Sequence, residues 1–220
     1  MYQHITHWIF DMDGTVYPEN PVYDAQVWAL LDHFYAMKTG LPLEQASAKM
    51  KSYMASGSYG DNRIGMHQAD GIDYAEWDAY WGQHGNPSII PLNAHLRPLI
   101  HKLPGKKIIY TDSDAAISHK LLTHLGILDC FDELSTFTQR ALAGGPSSKA
   151  NPATYAAFHA SLGVPASQVL FFENSLKNLQ RAKALGWKTV LLHGDNTEPY
   201  VDAAYPDLAT ALEDIVGELA

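Results

Sequence analysis

Asp11-Met12-Asp13-Gly14-Thr15 follows the first apolar run of the chain, Trp8-Ile9-Phe10. Two carboxylates two residues apart, with a glycine to turn the chain, can sit side by side at the end of a strand. One can attack an electrophile while the other gives and takes a proton. Their mutual repulsion calls for a cation, and oxygen ligands of this kind imply magnesium. The plainer reading of a bare Asp-x-Asp is a solvated acidic turn. A calcium-binding hand also begins this way, but it needs glycine at its sixth position and glutamate at its twelfth. Here the fourth position is glycine, Gly14, and the twelfth is Val22, so that reading fails.

Further groups fall just after or between later apolar runs. Thr111 offers a hydroxyl and a backbone N–H to an anionic oxygen, and Lys149 offers a positive charge. Glu173 and Asn174 offer oxygens to a metal. Each is commonplace singly; the order along the chain is what gives them weight. The 11 histidines form no His-x-x-x-His pair, which disfavours zinc. Neither a Gly-x-Ser-x-Gly elbow nor a Walker-type phosphate loop is present. Trp28, Phe34, Tyr35, Trp77 and Trp81 recur at helical spacings and read as core, with a minority free to face a cleft and stack on a base. Arg63 lies in a glycine-bounded stretch and is either a solvated arginine or a substrate contact.

These residues need elements to hold them. Val27, Leu30, Leu31, Phe34 and Tyr35 predict an amphipathic helix stopped near Gly40. Leu43 to Met54 predicts a second, ended by Gly57. Ser56 to Gly71, with Gly57, Gly60, Gly65 and Gly71, reads as loop, and Tyr74 to Trp81 and Asn93 to Leu103 as helices. Beyond Pro104-Gly105 the texture changes. Short strands are expected at Lys107–Thr111, Leu134–Phe137, Val169–Phe172 and Thr189–Leu192. Helices are expected from Asp114 to Leu125, from Asn151-Pro152 to near Gly163, from Leu176 to Leu185 and from Leu208 to Leu219. Apolar strands alternating with helices mean a parallel sheet covered on both faces, with any ligand beyond the carboxyl ends of the strands.

The 220 residues, 46% hydrophobic and 18% charged, suffice for one well-buried domain with a small inserted partner. The net charge of −9 disfavours a nucleic-acid polymer or an anionic membrane as partner. The single cysteine, Cys130, excludes an intrachain disulfide. The first ten residues lack a basic, apolar leader, and no stretch is long enough to span a bilayer, so a cytoplasmic setting is expected.

With these motifs in order, the sequence resembles the haloacid-dehalogenase-like superfamily, on its phosphatase side. The resemblance spans nearly the whole chain and rests on Asp11-x-Asp13-Gly14-Thr15, Thr111, Lys149 and the acidic motif at Glu173-Asn174. It implies a three-layer α/β sandwich with strand order 3-2-1-4-5. The core would comprise residues 1–15 and 91–220, with a helical cap at 16–90. Within the superfamily the chain is most similar to the pyrimidine 5′-nucleotidase branch. That similarity lies in Val16-Tyr17-Pro18, the run Tyr59 to Gly65, Leu125-Gly126-Ile127 with Phe131-Asp132, Lys149 to Pro152 and Phe172 to Asn178. By resemblance Asp11 is the nucleophile, forming an aspartyl-phosphate, and Asp13 the acid and base. Thr111, Asp112 and Lys149 would line the phosphate site. Magnesium would rest on Asp11, the backbone carbonyl of Asp13 and Asn174, with Glu173 acting through water.

The sequence departs from the family pattern where aspartate is usual and Asn174 stands, which implies weaker magnesium binding. It departs again at Asp112, usually a neutral residue, whose charge would repel phosphate unless it turns away. Ala150 replaces a usual proline, which Pro152 can compensate. The expected activity is hydrolysis of a small phosphate monoester, a nucleoside 5′-monophosphate by resemblance. Another small phosphate ester, such as a sugar phosphate or phosphoglycolate, and a catalytically impaired phosphate binder are the alternatives. Dehalogenation is disfavoured, because Asp13 supplies an acid that phosphoryl transfer needs.

Overall fold

The computed structural model describes residues 2–55, 59–195 and 198–220. Strand β1 (His7–Phe10) is followed by helices α1 (Pro21–Thr39), α2 (Leu43–Ala55), α3 (Asn62–Asp70) and α4 (Tyr74–His84). Helix α5 (Leu96–Lys102) then leads to β2 (Lys106–Tyr110), α6 (Ala115–His124), β3 (Glu133–Ser135) and α7 (Phe137–Leu142). The chain closes with α8 (Pro152–Leu162), β4 (Val169–Glu173), α9 (Leu176–Ala184), β5 (Lys188–Leu192), β6 (Ala203–Tyr205) and α10 (Leu208–Leu219). The strands pair in parallel, in the order β3-β2-β1-β4-β5-β6. This is the expected α/β sandwich, extended by one strand. Ala203-Ala204-Tyr205 carries too little apolar signal to be read as a strand; it forms because β5 offers an unpaired edge.

Successive side chains of each strand point to opposite faces. Trp8, Phe10, Ile109, Leu170, Phe172, Val190 and Leu192 therefore enter one apolar cluster. Ile9, Ile108, Tyr110, Val169, Phe171 and Leu191 enter the other, where α8 and α9 cover them with Tyr155, Phe158 and Leu179. That both faces are apolar is why these strands read as unbroken hydrophobic runs. The first cluster runs on without a break into α1 and α4, through Leu31, Phe34, Trp77 and Trp81. Among the described residues no helix is long and apolar enough to cross a membrane.

Several local expectations need correction. Most of the stretch read as loop is helix α3: the Asp61 side chain accepts from the Arg63 N–H at its start, and Gly71 closes its end. Those flanking residues are capping signals, and the glycine count hid them. Gly57, expected to end α2, lies outside the described residues. The third strand stops at Ser135, because Thr136 and Gln139 form a capping box that starts α7. Helix α5 begins at Leu96 rather than Asn93.

Asp114 was expected to cap α6, but its side chain makes no capping bond there. It accepts instead from Trp77 Nε1 of α4 and from the Thr138 hydroxyl, each at 2.7 Å. The α6 terminus is capped from α4: Asp78 accepts from the Ala116 N–H at 2.8 Å. One helix thus supplies both an indole donor and the missing cap. Lys120 adds a bond to the Gly85 carbonyl at 2.7 Å. Gly82 is what lets α4 approach, since a Cβ there would lie 2.7 Å from the Ala116 Cβ. Gly82→Val should therefore force α4 away from α6 and cost about 1–3 kcal/mol. Thermal unfolding should show a melting temperature lower by about 2–4 °C per kcal/mol; an unchanged value would mean the contact is not tight.

Candidate active site

The carboxyl ends of β1, β2 and β4 meet at one edge of the sheet, as parallel strands in register must. Asp11 leaves β1 with its N–H still bonded to the Phe172 carbonyl of β4 at 3.0 Å. Lys149 reaches this edge from the loop before α8. Its Nζ donates to Asp11 Oδ1 at 2.5 Å and to Glu173 Oε2 at 2.9 Å. All three side chains are buried. Burial alone would discharge the lysine; the two carboxylates outweigh it and hold the ammonium well above its ordinary value. Asp11 moves upward too, through burial first and then the nearby Glu173 charge, with Lys149 only partly offsetting them.

Glu173 does not stand where the resemblance put it. Its Oε1 accepts from the Asn174 and Ser175 N–H groups, each at 3.0 Å, and its Oε2 from Lys149 and from Asn178 Nδ2 at 2.9 Å. Both oxygens are engaged and the residue is fully buried, which leaves it no lone pair for a metal-bound water. Its role is to hold Lys149 and to start α9.

Asp13, partly exposed, is gripped by hydroxyls. The Tyr17 hydroxyl donates to Oδ1, while Ser113 and Thr111 donate to Oδ2 at 2.6 and 3.2 Å. The Thr111 oxygen in turn accepts from the Ser113 N–H at 3.0 Å. The Thr111 backbone N–H, expected to face an anion, is spent on the Ser135 carbonyl of the sheet. The sequence gives no role at Asp13 to Tyr17 or Ser113. Ser113 carries a weak signal, two residues beyond Thr111 at a strand end; Tyr17 figures only in the Val16-Tyr17-Pro18 resemblance, since only the turn at Gly14 brings it back to Asp13.

Asp112 is also corrected. Its carboxylate turns to the Lys149 loop and accepts from the Lys149 N–H at 2.9 Å on both oxygens. Arg140 donates to it at 2.7 Å and the Ser148 hydroxyl at 3.1 Å. Arg140, also unforeseen, ties this loop to the ends of β2 and β3 through the Thr111 and Ser135 carbonyls. The charge thus positions the loop that delivers Lys149.

The metal donors expected were Asp11, the Asp13 carbonyl and Asn174. Among the described residues no three or more His, Cys, Asp or Glu side chains form a metal-binding group, but this set asks for only one carboxylate. Gly14, at φ +76°, lacks the Cβ that would fall 2.3 Å from Asn174 Nδ2, so the amide can settle against the Asp11–Gly14 turn. Its Nδ2 donates to Glu19 Oε1 at 3.2 Å, which leaves Oδ1 for an ion. Asp11 and Glu173 share the one ammonium of Lys149, and Asp13 adds a further carboxylate beside Asp11, so a dication fits the site.

Arg63 is neither solvated nor free. From α3 it donates through Nε and Nη2 to Asp61 and through Nη1 to the Asp112 carbonyl at 2.7 Å. Nη1 also pairs with Asp114 at 3.2 Å, and the guanidinium lies 3.6 Å over the Phe137 ring. It fastens the inserted helices to the sheet edge while lining a cavity of about 560 Å³ that opens beside Asp13. Trp28, Trp77 and Trp81 also line it, whereas Phe34 and Tyr35 pack in the core.

A family model for haloacid dehalogenase-like hydrolases matches residues 5–186. The chain belongs to that family. Its fold is shared with a HAD phosphatase from Thermococcus onnurineus, at a TM-score of 0.64 and 19% identity over 97% of this chain and 98% of that one. A putative beta-phosphoglucomutase from Thermotoga maritima aligns at 0.58 and 17% identity over 98% and 100% of the two chains. The L-2-haloacid dehalogenase from Xanthobacter autotrophicus with covalently bound chloropropionic acid aligns at 0.57 and 16% over 97% and 99%. At these identities the likeness is one of fold, so the chemistry within this hydrolase family must be argued from the site.

Two variants test the geometry. Arg63→Ala strands the buried Asp61 and Asp114 carboxylates and should cost roughly 3–5 kcal/mol in urea unfolding. A loss below about 1 kcal/mol, as for an exposed pair, would return Arg63 to the surface. Lys149→Met leaves Asp11 and Glu173 buried without a counter-charge. Because Asp11 already binds its proton more tightly folded than unfolded, its burden on stability grows as pH rises above the ordinary carboxylate range. Below about pH 8 folded wild-type Asp11 keeps its proton as the variant's does, so the gap in unfolding free energy between wild type and Lys149→Met should widen as pH rises from 7 to 10; a pH-independent gap would contradict the charge role.

Proposed function

We propose that this hydrolase is a magnesium-dependent phosphomonoesterase working through an aspartyl-phosphate. Its proposed substrates are nucleoside 5′-monophosphates, pyrimidine ones on the resemblance of residues 16–18 and 59–65. The reading is carried by one contrast between the paired carboxylates. Asp11 is buried against an ammonium, while Asp13 faces the cavity in a ring of hydroxyls. A nucleophile needs the first setting and an acid that serves a leaving group needs the second. A departing halide takes no proton, so a second, cavity-facing carboxyl supports ester cleavage over dehalogenation.

Bound magnesium would supply charge neutralisation for the phosphoryl oxygens, held by Asp11, the Asp13 carbonyl and Asn174. The protein does the rest. An Asp11 oxygen attacks phosphorus as the ester P–O bond breaks, and protonated Asp13 gives its proton to the departing oxygen. Asp13, now a carboxylate, takes a proton from water as the water oxygen attacks phosphorus. Inorganic phosphate leaves and the Asp11 carboxylate is restored. Lys149 offsets the charge near Asp11, and Tyr17, Thr111 and Ser113 fix the direction in which Asp13 delivers its proton. Such positioning and charge stabilisation are most of what phosphoryl transfer requires.

A panel of phosphate monoesters with magnesium tests the activity, with chloride release from 2-chloropropionate as the competing outcome. Asp11→Asn should abolish ester turnover in a folded protein, and retained activity above a few per cent would remove Asp11 as nucleophile. Asp13→Asn should cut turnover by roughly 10²–10⁴, yet still allow slow phosphoryl transfer to Asp11, seen by mass spectrometry. Asn174→Asp places a full charge beside the ion and should tighten magnesium binding by roughly tenfold. Calorimetric titration decides it; unchanged affinity would place Asn174 outside the metal shell.

A further inference from the structure

The cavity beside Asp13 is sharply divided in character. One wall is a single face of α1, formed by Tyr23, Val27, Trp28 and Leu31, and α4 faces it with Trp77 and Trp81. Trp28 stays 38% exposed, so its ring is open to whatever enters. Asp13, Asp24, Asp61, Asp112 and Asp114 line the same space, together with Met54, Asn62 and Ser113, and Arg63 is the only cation lining it among the described residues.

The state of each charge decides what the cavity offers a ligand. Arg63 spends Nε, Nη1 and Nη2 on Asp61, the Asp112 carbonyl and Asp114. Asp112 is taken by Arg140 and the Lys149 loop. Asp24 is different. It is exposed on the first turn of α1, four residues before Trp28, and its side chain has no hydrogen bond or ion pair among the described residues. Partial burial, then Asp13 and Glu19, push its carboxyl above the ordinary value, which confirms that its near neighbours are negative. The wall where the remainder of an ester would lie is thus anionic, while the Lys149 ammonium is held deeper, against Asp11 and Glu173.

We infer that Asp24, beside the Trp28 ring, is the specificity-determining residue of a leaving-group pocket that accepts neutral or cationic N–H-bearing groups with a flat face and rejects a second anion. This deepens the phosphomonoesterase reading and rests on it only for the phrase leaving group. It favours an amino-bearing base or an organic ammonium and disfavours an ester that carries a carboxylate, such as phosphoglycolate. The aromatic wall suits either favoured group, because a π face stacks on a flat ring and attracts a cation.

The test uses two non-hydrolysable ligands that differ in one para substituent and in its charge, para-aminomethyl- and para-carboxy-benzylphosphonate. They are titrated calorimetrically into the intact protein with magnesium. At low ionic strength the ammonium ligand should bind about tenfold tighter or more, and the ratio should shrink with added salt. Asp24→Asn should reduce the ratio severalfold, and Asp24→Lys should invert it, each in a protein with unchanged circular dichroism. Equal affinities in wild type, a ratio unmoved by both substitutions, or no binding of either ligand would overturn the inference. Phenyl phosphate turnover by wild type separates the two readings. Its absence with the affinity ratio intact overturns the phosphomonoesterase activity alone, and its presence with equal affinities overturns the role of Asp24 alone.

Discussion

The ammonium of Lys149 between Asp11 and Glu173 is the interaction on which the rest of the site depends. Three ionisable groups leave water together there, and such a cluster persists only if every remaining hydrogen-bonding position is filled. Glu173 fills its share with the Asn174 and Ser175 amides just ahead of α9 and with Asn178, and Lys149 adds the Tyr110 carbonyl at 3.5 Å. Asp11, Tyr110 and Glu173 sit at strand ends, and Lys149 comes to them from the loop before α8. The parallel register of β1, β2 and β4 is what brings them within reach.

A second layer of charges keeps that triad in place. Asp112 and Arg140 hold the backbone of the loop that carries Lys149, and Arg140 also grips the carbonyls ending β2 and β3. The acid at position 112 is therefore no obstacle to phosphate, because its charge is turned away and paired. The amide at position 174 is a separate matter: it lies against Gly14 and Glu19. The two departures from the family pattern act in different places and do not compensate one another.

The inserted helices are joined to the sheet by polar groups as well as by shared apolar core. Asp114 receives Trp77, Thr138 and Arg63, while Asp78 caps α6 in its stead. With Arg63 stacked on Phe137, this bonding sets the position of the cavity walls relative to Asp13. Side chains on α1 and α4 form those walls.

The sequence by itself determined the alternating α/β order, the parallel sheet, the strand-end positions of Asp11, Thr111 and Glu173, and the place of Lys149 just ahead of a helix. These follow from local signals: apolar runs of strand length, capping residues, and carboxylates just past a strand. The tertiary structure alone decided how each side chain is used. Tyr17 and Ser113 reach Asp13, Arg140 neutralises Asp112, Asp78 takes over the cap of α6, and Arg63 becomes a clamp. Apart from the Tyr17 contact, made across the Gly14 turn, and the Arg63–Asp61 pair, made within the cap of α3, these partners lie 28 or more residues apart in the chain. A hydrogen bond depends on distance and angle in space, and no periodicity along the chain encodes either.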